Sequence, residues 1–600
     1  MDRRHMLAIL SASGLGTPLF HRALTGLWQE NGESGNPPKV TADMVRTAEW
    51  ISGCEFNDEE RESIARSINR SAAGKAMLRA QPLDFFDGPA LNFQPLCPAA
   101  TSGEPPQRSV PFSQQPVDAM EPATDTDIAF LPVTRLARLI RDRDISSTDL
   151  TRIYLERLEK YNPLLNCVVT LTRDLALTQA RQADEEIAAG HWRGPLHGIP
   201  WGAKDLVSVP GYPTTWGIPQ FEQRVLEQPA TVASRLADAG AVLVAKLSLG
   251  AIAMGDRWFR GMTRSPWDYR IGSSGSSAGS ASATVAGLVG FSLGSETLGS
   301  IVSPCRRCGA TGLRPTFGRV SRAGCMPLSW SMDKIGPITR SVEDCALVFA
   351  AIHGADGEDP TATNRDFAWP LELDFSQLKI GYTASPRPKS DSASAPGDGE
   401  ESGKPDRPDL QILRELGCQV VEVELPEEKN QWFLADIIDV ESASVFDDML
   451  RARQTEGWNT WPDTFRAARF VSAIDYLKLL RRRRQLQFKM ESLMDSVDFL
   501  VNCSDLLITN LTGHPSVVMP MDYREVDGRQ VPVSLLLTGG LNDDDRLLAL
   551  GQACQQRLVA HRRRPPLDRL LAEQAAEARG DRESSGDSTP DDADGSGKRR

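Results

Sequence analysis

The sequence predicts an α/β protein in which one large domain holds a mixed central β-sheet covered by helices. Helical and strand-like segments alternate from residue 130 onward, which is the pattern of an α/β domain. The run Asp149–Leu158 has the apolar spacing of an amphipathic helix, and Gly240–Lys246 is a short apolar run that suits a buried strand. The segment Ser280–Leu288 contains only small or apolar uncharged residues, so it predicts a buried helix.

The composition narrows the classes of function. The chain has 600 residues, of which 40% are hydrophobic, and a formal net charge of −13. This is enough apolar material for a large core, and the negative charge argues against a general basic surface for nucleic acid. The basic run Arg481–Arg484 lies in a helical pattern and predicts a solvated helix face, with an anion site as the alternative. No apolar run reaches the roughly 18 residues of a membrane span, so no span is expected.

The N-terminus has features of an export signal. Arg3 and Arg4 precede a weakly apolar run that continues to Phe20, as in twin-arginine signals, although no Ala-x-Ala cleavage site follows. Residues 1–27 are therefore either such a signal or an ordinary N-terminal helix. The first alternative places the protein in the periplasm, and the second places it in the cytoplasm.

The rest of the chain divides by composition. Residues 28–95 predict a helical N-terminal extension, and residues 96–128, which are rich in Pro, Ser and Gly, predict a linker. The main domain is expected over residues 129–570. Residues 386–408 and 571–600 are polar and poor in apolar side chains, so they predict a disordered surface insertion and a disordered C-terminal tail.

Cysteine usage favours neither a disulfide scaffold nor a metal site. Ten cysteines are few for 600 residues. Cys305 and Cys308 form a CxxC motif, but no second pair stands at zinc-ligand spacing. The sequence therefore predicts a structural role for these two cysteines and no metal site.

One lysine is a candidate base for serine chemistry. A serine hydroxyl needs a base to become a good nucleophile, and none of the seven histidines stands in a recognisable triad context. Lys204 lies in the apolar stretch Ile199–Val207, where burial would lower its pKa from ~10.4 by roughly three units. The alternative is that Lys204 forms a surface ion pair with Asp205.

Glycine-rich segments hold the candidate serines. The block Gly275–Ser280 contains Ser276 and Ser277, and Ser300 stands alone further along the chain. Glycines let backbone N–H groups converge, so Thr297–Ser300 can supply donors to a developing oxyanion. Flanking apolar runs argue against a linker, and neither a phosphate loop nor a dinucleotide fingerprint is present. The block also fits GxSxG, in which Ser277 would be the nucleophile of an α/β-hydrolase-type esterase.

Together, these motifs resemble the amidase signature family, whose members use a Ser–cis-Ser–Lys triad. The family's Gly-Ile-Pro-x-x-x-Lys-Asp, Gly-Ser-Ser-x-Gly-Ser and Gly-Ser-Ile-x-x-Pro motifs correspond to three segments of this chain: Gly198–Asp205, Gly275–Ser280 and Gly299–Pro304. Further blocks of the family match Gly312–Thr316, Asp333–Pro337 and Arg340–Asp344. The resemblance is strong over residues 130–370 and continues in weaker form over residues 408–565.

The resemblance implies hydrolysis of an amide through an acyl-enzyme. Lys204 would be the base, Ser276 the bridging serine in a cis peptide, and Ser300 the nucleophile. Ser277 would either support the network by hydrogen bonding or start a helix. The oxyanion would be held by the backbone N–H groups of four residues: Thr297, Leu298, Gly299 and Ser300. No metal or organic cofactor is required, and the expected substrate is a small-molecule or peptide-like linear carboxylic amide.

Some positions depart from the family pattern. Leu298 stands where many relatives carry glycine, and a positive φ at this position would be strained for leucine. Ser265 stands where asparagine is frequent. Residues 1–125 have no explanation in the family core, and they are interpreted as a helical extension with a linker.

Three other functions stay open at this stage. The amidase subunit of the glutamyl-tRNA amidotransferases shares the triad but works with partner subunits, and it uses ammonia from glutamine to amidate misacylated tRNA. An esterase would use Ser277 instead of Ser300. The third is a catalytically inactive binding protein. The oligomeric state is also open, and a homodimer is one option.

Overall fold

The computed structural model describes residues 39–52, 54–80, 109–112, 122–383, 407–426, 431–503 and 506–585. The candidate signal at residues 1–27 lies outside these ranges. So do most of the predicted linker and residues 386–406 of the predicted insertion.

The helices of the described residues alternate with strands over most of the chain. In chain order the first nine are α1 (Ala42–Ser52), α2 (Asp58–Ala80), α3 (Asp125–Ala129), α4 (Val133–Asp142), α5 (Ser147–Leu165), α6 (Arg173–Ala188), α7 (Thr231–Asp238), α8 (Ala278–Val285) and α9 (Val302–Cys308). The others are α10 (Val342–Ile352), α11 (Pro408–Glu415), α12 (Asp436–Val445), α13 (Asp447–Arg451), α14 (Trp461–Ala468), α15 (Ala473–Met494), α16 (Leu506–Thr512), α17 (Asp544–Leu558) and α18 (Leu567–Ser585).

The strands divide between one large sheet and two short ribbons. The sheet contains β1 (Val168–Leu171), β2 (Pro200–Lys204), β3 (Val242–Leu247), β8 (Phe291–Glu296), β9 (Thr311–Arg314), β10 (Lys334–Thr339), β11 (Lys379–Tyr382), β12 (Gln419–Glu422), β13 (Phe499–Val501), β14 (Ser516–Val526) and β15 (Arg529–Gly539). The ribbons pair β4 (Arg257–Trp258) with β5 (Gly261–Met262), and β6 (Arg264–Ser265) with β7 (Asp268–Gly272).

The central sheet is mixed, which confirms the predicted fold class. Its 11 strands follow the order β1-β3-β2-β8-β10-β9-β14-β15-β13-β11-β12. The pairs β2/β3, β2/β8, β11/β12 and β11/β13 are parallel, whereas the other neighbours are antiparallel. Parallel pairs need helical crossovers, which accounts for helices such as α7 between β2 and β3.

Local sequence signals explain where individual elements begin and end. Helix α5 starts after Ser146, whose side chain accepts a hydrogen bond from the N–H of Asp149, and it ends at Asn166 in the left-handed conformation. Strand β3 begins two residues after the predicted start, because Gly240 adopts a turn with φ of +78°. All six residues of β3 are buried, as expected for a strand covered on both faces.

The N-terminal extension is helical and packs onto the main domain. Apolar side chains of α1 and α2 form a small core that also contacts Phe470. Near the same contact, Arg466 of α14 forms an ion pair with Glu60 of α2 at 2.7 Å, and Arg469 donates to the carbonyl oxygen of Ser52. Leu78, near the end of α2, is buried in an apolar cluster with α12 and α15. The extension is therefore anchored by both apolar and ionic contacts.

The prediction of a disordered tail from residue 571 is wrong for residues 571–585, which continue α18. Leu567 and Leu570 of this helix are buried, and Glu577 accepts a hydrogen bond from Tyr269 at 2.6 Å. The polar composition concealed this anchorage because α18 needs only a narrow apolar edge at its start. At the other end of the domain, α3 begins at Asp125, within the predicted linker, with a capping box between Thr124 and Asp127.

Within the part of the chain that the structure describes, no helix is long and apolar enough to cross a membrane.

Candidate active site

Lys204 stands at the end of a central strand. It is the last residue of β2, and the parallel neighbour β8 ends at Glu296. Because the carboxyl ends of parallel strands reach the same edge of a sheet, the segments that follow them share one space. The Lys204 side chain is completely buried there.

The Lys204 amine is surrounded by serine oxygens. Its Nζ lies 2.9 Å from the Oγ of Ser276, 3.0 Å from the Oγ of Ser277 and 2.9 Å from the Oγ of Ser295. Ser295 lies on β8, and sequence reasoning missed it. Its signal is weak, because only the register of β2 and β8 brings it to the lysine.

Burial changes the acidity of this lysine. Loss of hydration lowers the pKa of Lys204 to about 7, although the negative charges of Asp333 and Glu296 oppose the shift. The alternative of a surface pair with Asp205 is wrong. Asp205 is itself fully buried and pairs with Lys246 at 2.7 Å, so it does not hold Lys204 in the charged form.

The serine-rich block approaches the lysine as a tight turn before α8. The peptide bond between Gly275 and Ser276 is cis. A Cβ at Gly275 would lie 1.9 Å from the carbonyl oxygen of Gly255, so only glycine allows these two segments to pass so closely. The N–H of Ser277 donates to the carbonyl oxygen of Ser300 at 3.1 Å, and its hydroxyl donates to the carbonyl oxygen of Ser295 at 3.1 Å.

Ser300 ends a short loop between β8 and α9, here called the Ser300 loop (residues 297–300). Gly299 has a φ of +79°, and Leu298 does not adopt a positive φ. The strain considered for leucine at this position therefore does not arise. Within the described ranges, the N–H groups of Leu298, Gly299 and Ser300 donate to no protein acceptor. The loop thus offers unused donors next to a serine that is 9% exposed.

Glu296 fixes the far side of the Ser300 loop. Its Oε2 accepts the N–H groups of Ile301 and Val302 at 2.8 and 2.9 Å, and its Oε1 pairs with Arg314 at 2.9 Å. Burial opposes ionisation, but the Arg314 guanidinium and the N–H of Val302 outweigh it and lower the pKa of Glu296 to about 2. Asn510 donates to the same carboxylate at 2.8 Å. A buried anion therefore ties both ends of the loop together.

Asp333, the residue before β10, contacts the same loop. Its Oδ1 accepts the hydroxyl of Thr297 at 2.5 Å, and its Oδ2 accepts the N–H groups of Leu328 and Ser329. Burial raises the pKa of the Asp333 carboxyl. Sequence reasoning quoted Asp333 only as part of a family block, and gave no role to Glu296. Both roles depend on the pairing of β8 with β10.

The CxxC motif lies in α9, immediately after the Ser300 loop. Cys305 and Cys308 are both buried, and the Sγ of Cys308 lies 3.6 Å from the carbonyl oxygen of Ser273. Burial raises the pKa of both thiols. No group of three or more metal-ligating side chains occurs among the described residues.

The basic run on α15 differs from the predicted solvated face. Arg482 and Arg483 are buried, whereas Arg484 is exposed and stacks over Phe488 at 4.4 Å. The prediction is therefore wrong for two of the four arginines. Arg483 binds backbone and hydroxyl oxygens of the protein itself.

The sequence profile of the Amidase family matches residues 149–504. The chain belongs to the amidase family. In this amidase-family chain the profile covers Lys204, the serine-rich block, the Ser300 loop and Asp333. Helices α1 and α2 lie outside the matched residues.

Relatives of this amidase-family chain carry two kinds of name. It is 31% identical over 502 residues to the glutamyl-tRNA(Gln) amidotransferase A subunit of Carboxydothermus hydrogenoformans, covering 74% of this chain and 100% of the relative. It is 32% identical over 481 residues to a Mycobacterium tuberculosis protein named as the amidase AmiD, covering 75% of this chain and 99% of the relative. The native peptide amidase of Stenotrophomonas maltophilia superposes with a TM-score of 0.62 at 28% identity, covering 72% of this chain and 98% of that structure.

Proposed function

We propose that this protein hydrolyses the C–N bond of a carboxylic amide, with Ser300 as the nucleophile of an acyl-enzyme. The observation that carries the proposal is the buried Lys204 amine, 2.9 Å from the Ser276 hydroxyl and with its pKa lowered to about 7. A lysine in that state can accept a proton at neutral pH, so it can serve as the base that histidine provides in other serine hydrolases.

The hydrogen bonds around Lys204 support a neutral amine. A neutral amine has two N–H donors and one lone pair, and three serine hydroxyls surround this one. The Ser277 hydroxyl donates to the Ser295 carbonyl oxygen, and its oxygen accepts the N–H of Ser295 at 3.2 Å and keeps its second lone pair for the lysine. Ser277 and Ser295 then accept the two N–H bonds, and the lone pair faces the hydroxyl of Ser276.

The reaction follows from this arrangement. Lys204 takes the proton of Ser276, Ser276 takes the proton of Ser300, and the Ser300 Oγ bonds to the amide carbonyl carbon. The negative charge on the carbonyl oxygen is held by N–H groups of the Ser300 loop, which have no acceptor among the described residues. Ser276 then protonates the departing amine as the C–N bond breaks, and Lys204 reprotonates Ser276. Water hydrolyses the resulting ester by the same relay and restores Ser300.

The substrate is proposed to be a small-molecule or peptide-like linear amide. The structural similarity to a peptide amidase supports the peptide-like class. In this mechanism no metal or organic cofactor takes part, because the serines and the lysine supply the nucleophile, the relay and the base.

Serine variants test the proposal against the esterase alternative. On a panel of aliphatic, aryl and peptide amides, Ser300→Ala is expected to lower turnover at least about a thousandfold, and Lys204→Met by a similar factor. Ser277→Ala should retain more activity, because Ser277 holds Lys204 without attacking the substrate. An esterase that used Ser277 would show the opposite order. Unchanged turnover of Ser300→Ala and Lys204→Met would refute the mechanism.

A second candidate function is that of the amidase component of a glutamyl-tRNA amidotransferase. The full-length similarity to such a protein from Carboxydothermus hydrogenoformans favours it as much as the amidase names favour hydrolysis. Under this alternative the chain would co-purify with partner subunits and release ammonia from glutamine in their presence. Isolation of the chain alone, with activity on other amides and none on glutamine, would exclude it.

Export by the N-terminal twin arginine is proposed as the route to the periplasm. Arg3 and Arg4 precede the apolar run, and such signals carry proteins that are already folded. Replacing both arginines by lysine should retain the protein in the cytoplasm, as measured by cell fractionation and N-terminal sequencing. If the wild-type protein and the variant were distributed equally between cytoplasm and periplasm, residues 1–27 would be an ordinary N-terminal helix.

A further inference from the structure

A polar cluster joins helices α12 and α15 to the loop that precedes β10. Glu441 of α12 accepts the hydroxyl of Ser329 at 2.7 Å through Oε2. The same residue receives the N–H of Ser331 at 3.1 Å and the hydroxyl of Ser331 at 2.7 Å. Tyr476 of α15 donates to Glu441 Oε1 at 3.0 Å. One buried carboxylate thus collects four hydrogen bonds, three of them from a single loop.

Arg483 binds the same loop from the other side. Its Nη1 and Nη2 donate to the hydroxyl and the carbonyl oxygen of Ser331, at 2.7 and 2.6 Å. Its Nε donates to the carbonyl oxygen of Leu511 at 2.6 Å. Glu441 and Arg483 are each only 5% exposed, and both form hydrogen bonds with Ser331. Ser329, Ser331, Glu441, Tyr476 and Arg483 are called the Glu441–Arg483 clamp below.

The clamped loop leads directly to the Ser300 loop. A turn closes when the N–H of Asp333 donates to the carbonyl oxygen of Ser329 at 2.9 Å. Asp333 then accepts the hydroxyl of Thr297 at 2.5 Å. Next to this contact, Met332 is completely buried in the apolar cluster against which Leu298 packs. A displacement of Ser331 would therefore move Asp333 and Met332, and with them one side of the Ser300 loop.

We propose that Glu441 and Arg483 are positioning residues that align the Ser300 loop through Ser331 and the Asp333–Thr297 hydrogen bond. The inference rests on the proposed function, because alignment matters only if the loop stabilises an oxyanion. Donors of that kind act only when they point at the developing charge, and a displacement of about 1 Å can cost on the order of a hundredfold in rate. Glu441 and Arg483 lie far from Ser300 in sequence and act on it through the loop that holds Ser331.

Stability alone does not account for two charged groups at this depth. Buried ion networks are often no more stable than apolar groups of similar volume, because desolvation opposes their attraction. What a buried network does provide is one fixed geometry, since each bond constrains an angle as well as a distance. The residue that receives this constraint is Ser331, two positions before Asp333.

The test compares Glu441→Gln with Glu49→Gln as a matched control. Glu49 also binds an arginine, Arg61 at 2.5 Å, but it lies in the N-terminal extension and contacts no residue of the site. With the best amide from the panel, Glu441→Gln is expected to lower kcat about 10- to 100-fold and to change KM less than about threefold. Arg483→Met should act in the same direction, and Glu49→Gln should stay within about twofold of wild type.

A fluorophosphonate gives a readout that does not depend on the substrate. Its reaction with Ser300 also develops charge on an oxygen, so labelling of Glu441→Gln should slow by a factor similar to that for kcat. Tyr476→Phe removes a single bond of the clamp and provides a milder variant should Glu441→Gln fold poorly, with a smaller loss in the same direction. Wild-type kcat in either folded variant would overturn the inference.

A double-mutant cycle tests the route of the effect. Thr297→Val removes the hydroxyl that Asp333 accepts, so its loss of kcat and that of Glu441→Gln should combine to less than their product. Losses that multiply fully would overturn the proposed route. A wild-type protein that neither hydrolyses amides nor labels at Ser300 would overturn the proposed function first, and the inference with it.

Discussion

Lys204 illustrates how the surroundings of a single residue set its chemistry. Its amine contacts serine oxygens, and no carboxylate of the described residues forms an ion pair with it. Lys246, on the next strand, is equally buried but pairs with Asp205 at 2.7 Å. Loss of hydration disfavours the ammonium form of Lys204 and lowers its pKa, whereas the ammonium of Lys246 has Asp205 as a direct partner. The two neighbouring lysines thus differ in their surroundings through the position of one carboxylate.

The acidity of Lys204 predicts the pH dependence of activity. Below its pKa of about 7 the amine is protonated and cannot accept from Ser276. We therefore expect log kcat/KM to rise with pH, with a slope of about one, up to a bend near pH 7. Ser295→Ala should move the bend to lower pH, because the ammonium loses an acceptor. The measurement is a pH–rate profile with the same amide, and a flat profile across the bend would contradict the assignment of the base.

At the scale of elements, the N-terminal extension stabilises the helices that carry the clamp. Helix α2 contacts α14, α15 and the short 3₁₀ turn Gln431–Ala435. A Cβ at Gly74 would lie 2.9 Å from the Cβ of Phe433, so α2 approaches this turn as closely as a glycine permits. Leu78 enters the apolar cluster that Met332 and Leu298 also reach. The extension therefore belongs to the packing around the site, although the family profile does not include it.

A single substitution should unfold the N-terminal extension locally. Ile64 is completely buried in the small core between α1, α2 and Phe470. Ile64→Asp would place a charge in that core without a partner, which costs several kcal/mol, whereas Arg70→Lys on the exposed face of the same helix should be neutral within about 0.5 kcal/mol.

Hydrogen exchange followed by mass spectrometry measures the result. Protection of residues 42–80 should fall in Ile64→Asp while that of the central sheet persists, since local units open separately from the core. Loss of protection throughout the chain would mean that the extension and the main domain unfold as one unit.

At the scale of the whole molecule, the sequence predicted the elements and motifs that depend on neighbouring residues. It did not predict contacts between residues far apart in the chain. Alternating patterns and short motifs gave the mixed α/β sheet, and the candidate residues Lys204 and Ser276 do meet in the structure. Glu441 gave no signal and the role of Arg483 was missed, because they reach Ser331 across 110 and 152 residues. The run around Arg483 looked solvated for the same reason, since its acceptors lie on other elements.

The residues proposed to react all belong to one chain, which predicts activity that does not depend on assembly. Lys204, the Ser276–Ser277 turn and the Ser300 loop all meet at one edge of a single sheet. Labelling of Ser300 by a fluorophosphonate should therefore reach one equivalent per chain. Its rate constant should stay the same over a wide range of protein concentration, across which the oligomeric state is followed by light scattering. A matched series with Ser300→Ala gives the background. A rate constant that rises as the chains associate would show that a second copy completes the site, because mass action then governs the population of competent sites.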